Sequence, residues 1–224
     1  MSEEGLEQKY VKEAFDTNWL STVGENLNEF EASVREYLGV KSSVGLGSGT
    51  SAIHLGLKAL GVKKDDIVVL ELSSFQLMKM GVSPDISIIT NITPNHLNIH
   101  SSYEEYINAK KNIYKHQKEN SLLVLNYDNE ITREFGLEAK GRVEFFSRKS
   151  KLDNGVIVDE GIIKACEDKI RKHILNTRAA MLKGDHNYEN ICAALLATKD
   201  LVDMDSVVET VKNFVGVPHR LELV

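Results

Sequence analysis

A chain of 224 residues with 42% hydrophobic and 27% charged side chains has the length and apolar content to bury one sizeable core, as soluble globular proteins do. Its formal net charge of -6 and sequence pI near 5.7 argue against a nucleic acid or an anionic membrane as partner, because either needs a basic face. No apolar run reaches the length of a membrane span, the start MSEEGLEQKY is acidic and polar, and neither Cys166 nor Cys192 has metal-type spacing around it, so two buried thiols in a reducing cytoplasm are expected.

Between residues 6 and 38 apolar side chains recur at intervals of three and four: Tyr10, Val11, Ala14 and Phe15, then Leu27, Phe30, Val34, Tyr37 and Leu38. Two helices are expected there. The stretch DTNWLSTVGEN between them is rich in turn formers and holds Trp19. A short strand is expected over 41–46. It runs into GLGSGTSAIHLGLKALGV, where Gly45, Gly47 and Gly49 make a flexible turn before a helix over 51–60. Free backbone N–H groups at such a helix start can hold a phosphate, which makes Gly47, Ser48, Gly49, Thr50 and Ser51 candidate phosphate-binding residues. A plain strand-turn-helix has the same pattern. Asp65, Asp66 and IVVLEL read as a second strand, which would complete a right-handed parallel strand-helix-strand unit.

ELSSFQL follows at 71–77, and a β-branched run ends at Thr90. The turn residues Asn91, Pro94 and Asn95 then present His96 at the carboxyl end of a buried strand, where α/β sheets keep their ligand sites. Ser101 or Ser102 can cap the next helix, Glu104 and Glu105 complement its positive end, and Tyr103, Tyr106, Lys110, Ile113 and Tyr114 fall on one face. Taken alone, Lys110 reads as a solvated helix lysine. SLLVLNYD (121–128) and VEFFSRK (143–149) are further strands, and GVIVDEGIIKAC alternates around a polar DEG turn, a β-hairpin over 156–165. Residues 174–182 link to Gly184. Helices are expected over 186–199, with Ile191, Ala194, Leu195 and Thr198 inward, and over 205–214.

Two resemblances attach to these words. Residues 13–68 are similar to the amino-terminal segment of the pyridoxal-phosphate-dependent sugar aminotransferases of the DegT/DnrJ/EryC family, in which the GSGTSA turn, here 47–52, lies against the cofactor phosphate. From 69 onward the chain resembles the central ATP-binding domain of the Mur ligases, which build the peptidoglycan peptide. Four words in that family's order carry it: ELSSFQL, the stretch 87–118, GDHNYENICAA at 184–194 and GVPHRLELV at 216–224. ELSSFQL looks like the member that adds D-glutamate to UDP-N-acetylmuramoyl-L-alanine. The resemblances meet near 67–70, so the chain reads as a chimera, of the kind engineered or recovered by selection for folding. The fold this implies is one composite three-layer α/β/α domain, with segments 1–68 and 69–224, a mostly parallel central sheet and a small antiparallel hairpin.

In the Mur ligases ATP phosphorylates a carboxylate and an amine attacks the acyl phosphate, chemistry that requires magnesium and cationic partners. The resemblance implies that Glu71 holds magnesium, with Ser73 and Ser74 in the adjoining loop, and that His96 binds a second ion. Lys110 matches the lysine that is carbamylated in the family, which turns a cation into an oxygen ligand for magnesium. His186, Asn187 and Asn190 match nucleotide-contacting positions, and Arg220 the arginine that reaches the ATP phosphates. The plain alternatives are a solvated strand-end carboxylate, a hydrogen-bonded loop imidazole, ordinary helix capping and an exposed terminal arginine.

Departures weigh against turnover. GLGSGTSA stands where the family has GTNGKST, which puts Thr50 where a phosphate-binding lysine belongs. The segment before ELSSFQL is short by about one strand-helix unit, the words of the family's two outer domains are missing, and Asn98 replaces a common aspartate. On the aminotransferase side only the phosphate turn survives, so pyridoxal phosphate is not expected. The expected function is a folded chimera without full activity, carrying vestigial ATP and magnesium sites. A residual Mur-type ATPase or ligase, or a phosphate- or nucleotide-binding module at the GSGTSA turn, are the alternatives. An exposed apolar face on the leading helix would favour self-association.

Overall fold

The computed structural model describes residues 5–18, 24–63, 65–94, 100 and 102–216. The chain divides into two units, Met1–Leu70 and Glu71–Val224. In the first, helices α1 (Leu6–Asp16), α2 (Glu25–Leu38) and α3 (Gly49–Ala59) match the periodic stretches of the sequence. Neither α1 nor α2 buries a residue, and Phe15 and Tyr37 are 65% and 89% exposed.

The strands expected over 41–46 and 67–72 do not form. A β-branched run becomes a strand only when its N–H and C=O groups find a ladder partner. Here the Gly45 N–H donates instead to Glu31 Oε1 at 2.8 Å and the Ser43 hydroxyl to the Glu31 carbonyl at 2.6 Å. Val44, Ile67 and Val69 are exposed. All six strands of the described residues lie in the second unit, so the expectation that segment 1–68 supplies the first strands of the sheet is corrected.

That second unit is α/β. It contains α4 (Ser74–Leu77), β1 (Ile86–Ile89), α5 (Tyr103–Lys115), β2 (Leu122–Asn126), α6 (Glu130–Glu138), β3 (Arg142–Ser147), β4 (Gly155–Asp159), β5 (Ile162–Glu167), β6 (Ile170–Asn176), α7 (Asp185–Thr198) and α8 (Met204–Asn213). The six strands lie side by side in chain order. β1 to β4 are parallel, and β5 and β6 are added antiparallel.

β2 shows why helices cover both faces. Every residue of LLVLN is buried. Leu122 and Val124 enter the core with α7, while Leu123 and Leu125 enter the other core with Tyr106 and Tyr114 of α5 and Phe135 of α6. Period-two alternation thus splits one apolar run between two layers, which is the pattern of a sheet buried on both sides.

The hairpin expected over 156–165 is present as β4 and β5, joined through Glu160 (φ 51) and Gly161 (φ 74). Positive φ at both central residues is the type I′ geometry that matches strand twist. Asp168 (φ 48) and Lys169 (φ 70) repeat it before β6, which replaces the link expected from 174. β6 is a basic edge strand, IRKHILN, and its exposed side chains hid it from an apolar pattern. α6 was not expected either. On α7 the buried set is Ile191, Cys192, Ala193, Leu195, Leu196 and Ala197, so the inward placement of Ala194 and Thr198 is corrected: the helix packs along β2, β3 and β4 over a face wider than one stripe. Cys166 and Cys192 are buried free thiols, and burial first of all pushes Cys192 up to about 12. Among the described residues no helix is long and apolar enough to cross a membrane.

Candidate functional site

The word ELSSFQL builds one wall of a cleft in the second unit. Glu71 sits on irregular backbone and not at a strand end, a correction that follows from the missing strand. Ser73 and Gln76 then cap α4 reciprocally: the Gln76 N–H donates to Ser73 Oγ at 3.4 Å and the Ser73 N–H to Gln76 Oε1 at 2.8 Å. The spacing S-x-x-Q is the signature of that arrangement. It turns Ser74 inward, so the serine expected in a loop is a buried first-turn helix residue.

α5 builds the facing wall. Ser102 caps it by accepting the Glu105 N–H at 3.1 Å, as the sequence allowed, and Glu104 and Glu105 stand in its first turn. Asn112 ties α5 to α4 by donating to the Leu77 carbonyl at 2.9 Å. Tyr106 and Lys110, four residues apart, share one face of the helix. The cleft, about 420 Å3, is lined by Glu71, Ser73, Ser74, Gln76, Tyr106 and Lys110, along with Leu72.

Lys110 is half-buried, with Nζ 6.0 Å from the Tyr106 ring centre. Burial pushes its amine below the ordinary value, and the Glu71 carboxylate offsets part of that shift. The Tyr106 phenol is raised, first by burial and then by Tyr103. A lysine in this setting holds more uncharged amine than a solvated one, and only that form attacks an electrophile. The carboxylate of Glu71 and the hydroxyls of Ser73 and Ser74 are hard oxygen donors of the kind magnesium takes. Among the described residues no group of three His, Cys, Asp or Glu could hold a metal. Magnesium tolerates this, because it keeps several waters and is bound through one or two carboxylates.

Behind the cleft stands His100, which the sequence reading passed over. It is 3% exposed, its Nε2 lies 2.9 Å from Ser74 Oγ, and its ring is stacked on Phe75. The available signal was a second histidine four residues after His96 in NHLNIH.

His186, Asn187 and Asn190 sit on the first turns of α7 and do not line this cleft. Asn187 Nδ2 donates to the Lys183 carbonyl at 2.8 Å, and His186 and Asn190 are exposed. Beside them Arg148 pairs with Glu189 at 2.9 Å and Asp185 at 3.0 Å, fastening the end of β3 to α7. Asp128, after β2, accepts from the Ser147 hydroxyl at 2.6 Å and the Arg148 and Lys149 N–H groups at 2.8 and 3.0 Å. Burial pushes this carboxyl upward, and the hydrogen bonds more than reverse it, so it lies below the usual carboxylate range.

In the first unit Gly47, Ser48, Gly49 and Ser51 are exposed at the start of α3, with Thr50 in its first turn. The Ser48 hydroxyl accepts the Ser51 N–H at 3.2 Å, which is ordinary capping. His96, Asn98 and Arg220 lie outside the described residues.

A family model described as the Mur ligase middle domain matches residues 8–198, a span that includes 13–68. The chain is 45% identical over 176 residues to the UDP-N-acetylmuramoylalanine--D-glutamate ligase of Acetivibrio thermocellus, covering 79% of this chain and 38% of that protein. It is 48% identical over 163 residues to the ligase of the same name from Clostridium tetani, covering 73% and 35%. It therefore spans under two fifths of the length of these relatives. Among solved structures, MurF of Acinetobacter baumannii aligns over 63% of this chain and 32% of that one, at TM-score 0.48 and 21% identity. MurF of Thermotoga maritima in complex with ADP aligns over 56% and 30%, at TM-score 0.39 and 22% identity.

Proposed function

The chain belongs to the Mur ligase middle-domain family, and from that premise we propose that it is an ATP- and magnesium-binding domain of the D-glutamate-adding type, without full ligase activity. The observation that carries this is the meeting of Glu71 and Lys110 in one cleft, with the lysine amine depressed by burial. The word ELSSFQL and the names of the relatives support the D-glutamate type.

In this reading Glu71, His96 and an oxygen on Lys110 hold magnesium. An unmodified ammonium would repel the ion, so Lys110 must carry a carbamate for the cleft to fit it. Magnesium supplies charge neutralisation and polarisation of phosphoryl oxygens when bound. The Tyr106 ring stands 6.0 Å from the lysine amine, and the Arg148 ion pairs hold the α7 start, where Asn187 and Asn190 are the nucleotide-contacting candidates, with Arg220 toward the phosphates. Gly47 to Ser51 with Thr50 would cradle a phosphate weakly, since a hydroxyl does not replace a lysine against several negative charges.

Two finer readings belong with this one. A second lineage for residues 13–68, joined in a single composite domain, is supported by the GSGTSA word, and the family match over 8–198 weighs against it. Exposed Phe15, Phe30 and Tyr37 favour self-association. A cytoplasmic location is part of the same proposal.

Manganese as a magnesium stand-in tests the main reading by paramagnetic resonance. Saturable binding in bicarbonate buffer should weaken at least tenfold in Glu71→Ala and in Lys110→Ala, with ATP hydrolysis at the blank rate. Equal binding in all three chains would remove the cleft from the metal site. Magnesium-dependent turnover that falls in Glu71→Ala would instead restore an active ATPase.

A further inference from the structure

Ser74 and His100 form a buried pair behind the cleft wall, 2% and 3% exposed, with Ser74 Oγ 2.9 Å from His100 Nε2. The imidazole is stacked on Phe75, ring centres 5.2 Å apart and planes 8° from parallel, and meets Tyr106 edge-on at 5.4 Å. Packing from two sides therefore sets its orientation. Its other nitrogen, Nδ1, is buried with no hydrogen-bond partner among the described residues.

Two proton arrangements fit the pair. If Ser74 donates to Nε2, the ring proton sits on Nδ1 and an N–H donor is buried unpaired. If Nε2–H donates to Ser74 Oγ, only a lone pair at Nδ1 goes unmatched. Orphaned buried donors are the rarer and costlier case, which selects the second arrangement. The Ser74 hydroxyl proton is then left over, on a residue that stands with Glu71 and Lys110 around the cleft.

We propose that His100 is a positioning residue which, by donating to Ser74 Oγ, aims the Ser74 hydroxyl into the cleft as hydrogen-bond donor to a carbamate oxygen on Lys110. This rests on the reading of Lys110 given above. The uncharged amine forms a C–N bond to carbon dioxide, one C=O π pair moves onto oxygen, and the nitrogen gives a proton to solvent. The product is an N-carboxylate of charge minus one, with nothing oxidised or reduced. A charge-assisted bond from Ser74 holds one oxygen and leaves the other facing the cleft.

The test is carbon-13 NMR of the chain equilibrated with labelled bicarbonate, alongside nitrogen-15 NMR of the His100 ring. The wild type should give a carbamate signal that Lys110→Ala abolishes. His100→Phe, which keeps the stacked ring, and Ser74→Ala should each lower its occupancy at least tenfold. His100→Gln, which can place an amide N–H near the same point, should recover most of it, and the ring proton should sit on Nε2. A purely structural role would move neither the tautomer nor the glutamine rescue. Wild-type occupancy in His100→Phe or Ser74→Ala, or a ring proton on Nδ1, overturns the positioning role while the lysine reading stands. Absence of any carbamate in the wild type, with the proton on Nε2, overturns the lysine reading and the proposal with it. Ser74→Ala, which removes a single oxygen, decides the matter should His100→Phe fail to fold.

Discussion

Lys110 carries its burial as an electrostatic strain that pH can release. Below its depressed pKa the amine is charged in the folded and unfolded chain alike, and the whole desolvation cost is present. As pH rises through the folded value toward the ordinary 10.5, the folded chain sheds its proton first and gains stability. In buffer free of carbon dioxide, where Lys110 keeps its free amine, urea midpoints should therefore show the wild type below Lys110→Met at neutral pH, with the gap closing in alkali. Asp128 has the opposite sign. Its hydrogen bonds stabilise the fold above the ordinary 3.8 and are lost as pH falls through the depressed value. Asp128→Asn should lose about 1–3 kcal/mol at neutral pH by urea denaturation, and the difference should shrink in acid.

Each of two short elements hangs on one residue. Removing the cap in Ser73→Ala should cost about 1 kcal/mol and loosen α4, read as faster amide exchange at Leu77. Gly155 opens β4 at φ 129, and a Cβ there would lie 2.1 Å from the Phe145 carbonyl oxygen. Gly155→Ala should cost about 1–3 kcal/mol by urea midpoint, because the β3–β4 pairing must shift. The elements show what a sequence makes legible. α5, β2, α7 and the β4–β5 hairpin were readable from periodicity, capping serine and turn chemistry. α4 was readable in principle from its S-x-x-Q spacing, which the family word ELSSFQL overshadowed. The run IVVLEL was misleading, since apolar β-branched residues specify a strand only beside a partner, and Val69 is 90% exposed. In the candidate site Glu71 and Lys110 were reached through resemblance. His100 was not, because its role comes from packing against Phe75 and Tyr106 and not from spacing.

The three apolar cores of the described residues, and the whole sheet, lie in the second unit. The two units divide after Leu70, and the family model runs across that point, from 8 to 198. A fragment spanning 71–224 should unfold cooperatively in urea, since these cores and the sheet lie within it. A fragment that unfolds without a transition would show that these cores and the sheet do not suffice for a cooperative fold. The proposal for the whole molecule is that Glu71 and Lys110, which line one cleft, hold a metal ion and a carbamate there. Anomalous diffraction from crystals grown with manganese and bicarbonate tests it most directly. The account predicts a manganese peak in coordination distance of the Glu71 carboxylate, with density for a carbamate on Lys110. A cleft without manganese, and an unmodified Lys110 in those same crystals, would contradict it.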